Sequence, residues 1–331
     1  MILRFLPSWI TGALGLHVVW TRSIPFVDKH YHWSIGIYSA SDGVHFTPQK
    51  EANNPVLTGR HVTDIMARFL ADPFMIREGD RWYMFFEMYN GSTKKGDIGL
   101  AESEDGLRWH YVKRVLEEPF HLSYPLVFKW RDSFYLIPEV GASSSVRLYK
   151  AQDFPTRWVF VKTLIEGMAY KDATFFFYQN KWWCFASTCK ETGDALHLFF
   201  SDDLEGPWVS HPKSPLLKDN WRGTRLAGRV VHANGKLIRF AQDGYPYYGK
   251  KMCAFEIVRL TPHEYEEIEI PDAPISSALS KQHWNKNGTH HIDSHLIGEN
   301  QWLACVDGFR HEYFFGPGRR MALKFGAKRK R

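Results

Sequence analysis

The sequence predicts an all-β protein: a five-bladed β-propeller closed by N-terminal strands that pair with the C-terminal blade. Three observations carry this expectation. A hairpin unit recurs about every fifty residues. Aromatic residues make up 16% of the 331 residues, with 13 Trp, while no stretch keeps a helical period. A turn signature near the N-terminus lacks its inner hairpin, and a hairpin near the C-terminus lacks its turn signature.

The unit is clearest from Asp72 to Glu87: an acidic start, an apolar strand, a Glu78-Gly79-Asp80 turn, and an aromatic strand ending on a carboxylate. Antiparallel pairing brings the opening and closing residues to one sheet edge, so Asp72 and Glu87 are expected as neighbours. Tyr124 to Glu139 and Asp172 to Ser187 repeat the register with the same offset. A weaker fourth copy runs from Gly228 to Asp243 around Asn234-Gly235. A fifth runs from Asp293 to Asp307 around Gly298-Glu299-Asn300-Gln301, one residue shorter.

Each of the first three hairpins is followed by a third strand and a Ser/Asp-rich turn closing on Trp: Ser103 to Trp109, Ala151 to Trp158, Ser201 to Trp208. Their Ser and Asp side chains suit turns that bond their own backbone, so these residues read as structural. Ser39-Ala40-Ser41-Asp42-Gly43 carries the same signature with no inner hairpin before it. Residues 33–48 are therefore expected to complete the blade whose inner strands lie near 291–309, which leaves no open seam. The blades are placed at 70–118, 121–166, 169–217, 224–270, and 289–315 with 33–48. Residues 1–32 are an N-terminal segment, 33–315 the propeller without an internal domain boundary, and 316–331 a basic tail.

The net charge of +6 sits partly in that tail, which reads as a solvated end. No nucleic-acid partner is expected, and membrane contact is at most weak. Residues 1–20 are apolar but interrupted by Pro7, Ser8, Thr11 and His17, so a spanning helix or signal peptide is not expected and the chain reads as cytoplasmic, peripheral to a membrane at most. Cys184, Cys189, Cys253 and Cys305 form no metal or disulfide pattern and read as free thiols.

In a closed ring the blade-opening residues converge on the axis. Here they are Asp72, Tyr124, Asp172, Gly228 with Arg229, and Asp293, joined by Glu87, Glu139, Asp243 and Asp307 at strand-two ends. Crowded carboxylates in a partly dry funnel divide into protonated and ionised members, the pairing that glycoside hydrolysis uses. Asp72 is the candidate base or nucleophile, and Asp172 or Glu139 the acid. Glu87, His121, Tyr124, Arg229, Asp243, His291 and Asp293 are candidate sugar-binding residues. An acid before Pro at a strand start also serves simply to cap a turn. In His290-His291-Ile292-Asp293-Ser294-His295, neighbouring His side chains point to opposite strand faces, so neither a metal nor another cofactor is expected. Arg225 and Arg229 fit a substrate anion or a salt bridge to the next blade equally well.

The strings Ala71-Asp-Pro-Phe-Met75, Gly96-Asp-Ile-Gly-Leu-Ala101, Phe120-His-Leu-Ser-Tyr-Pro125, Val146-Arg-Leu-Tyr-Lys-Ala151, Gly228-Arg229 and Arg239-Phe-Ala-Gln-Asp243 resemble the N-terminal domain of plant glucosamine inositolphosphorylceramide transferases, from about Trp33 to Ile270. That domain is similar to the five-bladed propellers of the arabinanase, levansucrase and invertase superfamily, including glycoside hydrolase family 43. The resemblance implies a sugar-related role in assembling or modifying a surface glycan or glycolipid. In the plant proteins transferase activity is attributed to a separate C-terminal glycosyltransferase domain; no stretch of that size follows the propeller, so that activity is not expected here. In the hydrolases a base Asp opens blade one, a second Asp opens blade two, and an acid Glu lies in blade three. Asp72 matches the first position, but Tyr124 and Asp172 stand at the other two. The expectation is thus a glycosidase-like propeller, or a non-catalytic glycan-binding or scaffold module whose partner is a separate glycosyltransferase.

Overall fold

A computed structural model describes residues 27–140, 143–190, 193–275 and 283–315. The reading of residues 1–32 as a separate segment falls almost wholly outside these residues, and that of the 316–331 tail does so entirely. Residues 32–310 form one compact unit. The described residues 27–31 and 311–315 lie outside that unit.

The described strands form five antiparallel sheets. Blade one runs outward through 67–78, 81–90, 95–103 and 110–116; blade two through 123–130, 133–139, 145–153 and 157–166. Blade three is built from 170–178, 181–190 and 193–201, with the short strands 209–210 and 217–218 both paired to the third. In blade four, 222–226 and 231–233 share the inner place beside 236–243, followed by 251–260 and 265–270. Blade five is composite as expected: 292–298 pairs with 301–315, and Val27–Ala40 then lies between that strand and Thr47–Pro48. The five-bladed all-β architecture expected from the repeats is the one observed.

The sequence repeat hides a repeated backbone device. Ala71 pairs with Glu87, Ser123 with Glu139 and Lys171 with Ser187, and in each hairpin the register slips just afterwards at a bulge. The residue after each pair has positive φ: Asp72 at 51°, Tyr124 at 46° and Asp172 at 51°. These left-handed positions are uncommon for residues with a side chain, and three at matched places mark a built feature. Blade four uses Gly228 there, at φ 136°. A Cβ on Gly228 would stand 1.7 Å from the Ile292 carbonyl oxygen, so the glycine is required where blades four and five meet.

The fifth copy differs in register from the sequence reading. Asp293 pairs with Cys305, and the Asp307 amide donates to the His291 carbonyl at 3.3 Å. His291 to Asp307 is therefore the separation found for Ala71 to Glu87, so Ile292 holds the place of Asp72 and Asp293 lies one residue beyond it. The carboxylate of Asp293 is a chance match to the repeat.

Apolar faces of neighbouring blades pack on each other, with Phe74, Phe85, Tyr124, Trp158, Trp182 and Trp183 in the largest buried cluster. Cys184, Cys253 and Cys305 are buried free thiols. Gly228→Ala should destabilise the protein by about 2 kcal/mol or more, because the added methyl meets backbone that cannot yield. A urea midpoint equal to wild type would contradict this contact.

Candidate functional site

The acids at the blade openings stitch the ring together. The Asp72 amide donates to Asp307 Oδ2 at 3.1 Å, the Tyr124 amide to Asp72 Oδ2 at 3.2 Å, and the Asp172 amide to Glu139 Oε2 at 3.2 Å. The Gly228 amide donates to the Tyr124 hydroxyl at 2.8 Å. A backbone N–H turned inward by the left-handed bulge would otherwise lack a partner in a buried place. A side chain from another blade supplies it each time.

Around these stitches lie the charged groups of the funnel. Lys171 Nζ reaches Glu139 Oε1 at 2.6 Å, and Arg225 Nε reaches Asp172 Oδ2 at 2.7 Å. His290 Nδ1 lies 2.7 Å from Asp307 Oδ2 and its Nε2 3.8 Å from Asp72 Oδ1. His121 Nε2 is 3.4 Å from Glu87 Oε1, while its Nδ1 accepts the Gly96 amide at 2.8 Å. Gly96 is needed there, since a Cβ would lie 2.1 Å from the Leu122 carbonyl oxygen and 3.0 Å from Glu87 Oε1. The carboxyl of Asp72 is 11% exposed and that of Glu87 8%, against 40% for His121 and 29% for Lys171. The acids and His290 form a floor, and His121 and Lys171 stand nearer solvent.

Aromatic rings flank this floor. Trp33 stacks on His290 at 4.2 Å, Tyr248 meets His290 edge-on at 5.0 Å, and the Arg225 guanidinium lies 5.1 Å from the Tyr248 ring centre. Tyr248 is half exposed. An aromatic face beside charged hydrogen-bonding groups is suited to the mixed apolar and hydroxylated surface of a sugar.

The protonation states divide. Burial, followed by the surrounding carboxylates, drives Glu87 well above the usual carboxylate range. Burial lifts Asp72 to about 7, opposed by the His290 charge and reinforced by Asp307, Asp172 and Glu139. Asp172 rises to about 6 through burial, restrained by Arg225. Burial also acts upward on Glu139 and Asp307, but Lys171 with Arg225 holds the first below its ordinary value, and His290 holds the second. His290 is raised in turn, because the carboxylates outweigh its burial. Neutral acids and fixed carboxylates thus occur side by side.

The sequence-derived residues fall into separate groups. Asp72, Glu87, His121, Glu139 and Asp172 belong to the funnel floor. Tyr124 closes it from below: its hydroxyl lies 2.8 Å from Thr174 Oγ1, and its ring is edge-on to Phe74 and His291. His291 donates from Nε2 to the Pro73 carbonyl at 3.0 Å and, through burial, is held down at about 4, so it is a neutral part of that plug. Asp293 and Arg229 form a second cluster. Asp293 accepts from Arg229 Nε at 2.8 Å, His295 Nε2 at 3.0 Å and the Met75 amide at 2.8 Å, and among the described residues none of these donors bonds Asp72 or Asp172. Asp243 sits with Arg222 and Lys251 in blade four. Lys171 and Trp33 were not singled out from sequence. Lys171 had one available signal, its place immediately before a repeat-opening acid.

Asp72, His290 and Asp307 bring one potential ligand atom each within 4.8 Å of one another, the one such grouping among the described residues. His290 is already engaged there with Asp307, with its proton stabilised by that carboxylate.

Residues 26–309 match the family model for the N-terminal region of glucosamine inositolphosphorylceramide transferase 1. The chain belongs to that family. The enzyme of that name from Oryza sativa subsp. japonica is 34% identical over 303 residues, covering 86% of this chain and 41% of the relative. The Arabidopsis thaliana protein is 31% identical over 304 residues, covering 86% and 40%. The chain therefore spans about two fifths of the length of these curated relatives. Among solved structures, the Cellvibrio cellulosa alpha-L-arabinanase complexed with arabinohexaose aligns at TM-score 0.52 and 17% identity, over 75% of this chain and 93% of its own. A thermostable family-43 glycoside hydrolase aligns at TM-score 0.51 and 13% identity, over 74% and 90%. These likenesses establish the propeller fold. Family membership and fold together support a role related to glycans or glycolipids. No helix among the described residues is long and apolar enough to cross a membrane.

The raised Asp72 carboxyl has a thermodynamic consequence. Its folded value lies above its ordinary 3.8, so the stability it contributes is complete below that pH and is lost as pH rises to about 7. Asp72→Asn should flatten the fall in melting temperature across that window. An unchanged slope would show that Asp72 ionises at its ordinary pH.

Proposed function

We propose that the axial funnel binds a sugar unit of a surface glycan or glycolipid and acts on its glycosidic bond. One observation carries the proposal: Glu87, whose carboxyl burial drives well above the usual carboxylate range, shares the funnel floor with carboxylates that Lys171 and His290 hold below theirs. In this reading Glu87 is the proton donor to the leaving oxygen. Asp72, whose proton is lost near neutrality, is the base or nucleophile. Glu139 stays ionised beside Lys171 and accepts sugar hydroxyls, a role different from the acid expected of it. Asp172 holds Arg225, and that guanidinium with Tyr248 lines the sugar's path. His121, next to Glu87, is kept neutral by burial and takes a hydroxyl.

A second reading rests on a specific observation as well. Asp72, Glu139 and Asp307 each accept a backbone amide from a neighbouring blade, so part of the acidity serves assembly. A glycan-binding or scaffold module working with a separate glycosyltransferase would need only that. Turnover and binding of glycan and glycolipid panels by Glu87→Gln and Asp72→Asn separate the two. The catalytic reading expects turnover to fall at least about a hundredfold with binding retained. A wild-type protein that binds glycans but releases no sugar under any condition would leave the binding module.

A further inference from the structure

Blade four carries two aromatic side chains at its upper end that the axial site leaves unused. Trp221 is 67% exposed and Tyr245 72%, more than any other large apolar side chain among the described residues. Trp221 immediately precedes Arg222, whose strand partner is Asp243, and Tyr245 follows two residues after that partner. The Gly244 amide donates to the Trp221 carbonyl at 3.0 Å, and a Cβ on Gly244 would stand 3.6 Å from Trp221 Cε3. The indole therefore lies along the backbone that leads into Tyr245.

Buried Asp243 ties these two segments together. Its Oδ1 accepts the Tyr245 amide at 3.2 Å, and its Oδ2 meets Arg222 Nη1 and, at 3.2 Å, Lys251 Nζ. Arg222 also engages Glu269, its amide donates to Asn220 Oδ1 at 3.0 Å, and the Thr224 hydroxyl donates to the Asn220 carbonyl. The exposed rings thus stand on fixed backbone. The same two segments run on into the funnel. Arg225, four residues after Trp221, bonds Asp172, and Tyr248, three residues after Tyr245, faces both Arg225 and His290. Four residues of chain span at most about 14 Å, so the rings lie within reach of a short oligosaccharide whose end enters the funnel.

We propose that Trp221 and Tyr245 form a stacking platform for a second sugar ring, so that the funnel takes the end of an oligosaccharide in preference to a single sugar. This rests on the reading of the funnel as a sugar site. A sugar ring has an apolar C–H face and a hydroxylated edge. The aromatic rings cover the first, and the half-exposed Arg222 and Lys251 donate to the second. Because Asp243 and Glu269 match those cations, the platform lacks the positive surplus by which an anionic lipid surface is held.

The test titrates the full chain with trisaccharides of glucose, galactose, mannose, glucosamine and arabinose, with the matching monosaccharides, and with phosphatidylcholine vesicles. Wild type should bind at least one trisaccharide about tenfold or more tightly than its monosaccharide. Trp221→Ala should remove that margin while leaving monosaccharide affinity and melting temperature unchanged, and Trp221→Phe, which keeps a ring, should restore most of it. Ile268→Ala, a similarly exposed change on the outer strand of the same blade, should leave the margin intact. The inference is overturned if Trp221→Ala keeps the margin, if Ile268→Ala loses it equally, or if Trp221→Ala loses only vesicle binding, which would make the rings a membrane contact. Monosaccharide binding with no gain from any trisaccharide overturns the platform and leaves the funnel reading standing, whereas a wild type that binds no saccharide overturns both.

Discussion

The hydrogen bond from an inward-turned backbone amide to a side chain of another blade is the constraint on which this propeller depends. A sheet's innermost strand faces the axis, where there is little water and no further strand to pair with. The left-handed bulges at Asp72, Tyr124 and Asp172 aim a main-chain N–H into that space. Leaving such a donor unpaired costs about 1–3 kcal/mol, and a carboxylate accepts it more strongly than a neutral group would. Asp307, Asp72 and Glu139 thus hold register between sheets with no strand pairing across the seam.

The same arrangement creates the electrostatics of the funnel. Acids recruited to bind amides are crowded and nearly dry, so they cannot all remain ionised. Lys171 and His290 hold Glu139 and Asp307 low by standing beside them, while Glu87, with the partly exposed His121 beside it, is driven well above the usual carboxylate range. Structural need and chemical capacity share these residues, so substitutions at Asp72 or Glu139 must be read for both. Glu87 is the cleaner probe, because no backbone amide from a neighbouring blade rests on it among the described residues.

Blade count, closure of the ring and the convergence of Asp72, Glu87, Glu139 and Asp172 were legible because each follows from a hairpin whose offset survives in the sequence. Asp293 was misplaced by that same logic. Its carboxylate falls near the expected place in a copy whose true register runs from His291 to Asp307. Arg225 was visible as a candidate without a partner, since a salt bridge to another blade leaves no local spacing to read. Lys171 and Trp33 gave still less, because their importance lies in what they face.

The chain on its own determined the repeat, its strand-turn-strand pattern and the join of both ends in one blade. Those depend on alternation, turn residues and spacing, which are local and periodic. Only the assembled ring decided which acids are driven up or held down and which cations pair with them. Proton affinity and charge pairing depend on burial and on neighbours from other blades, and these exist only once the sheets have met.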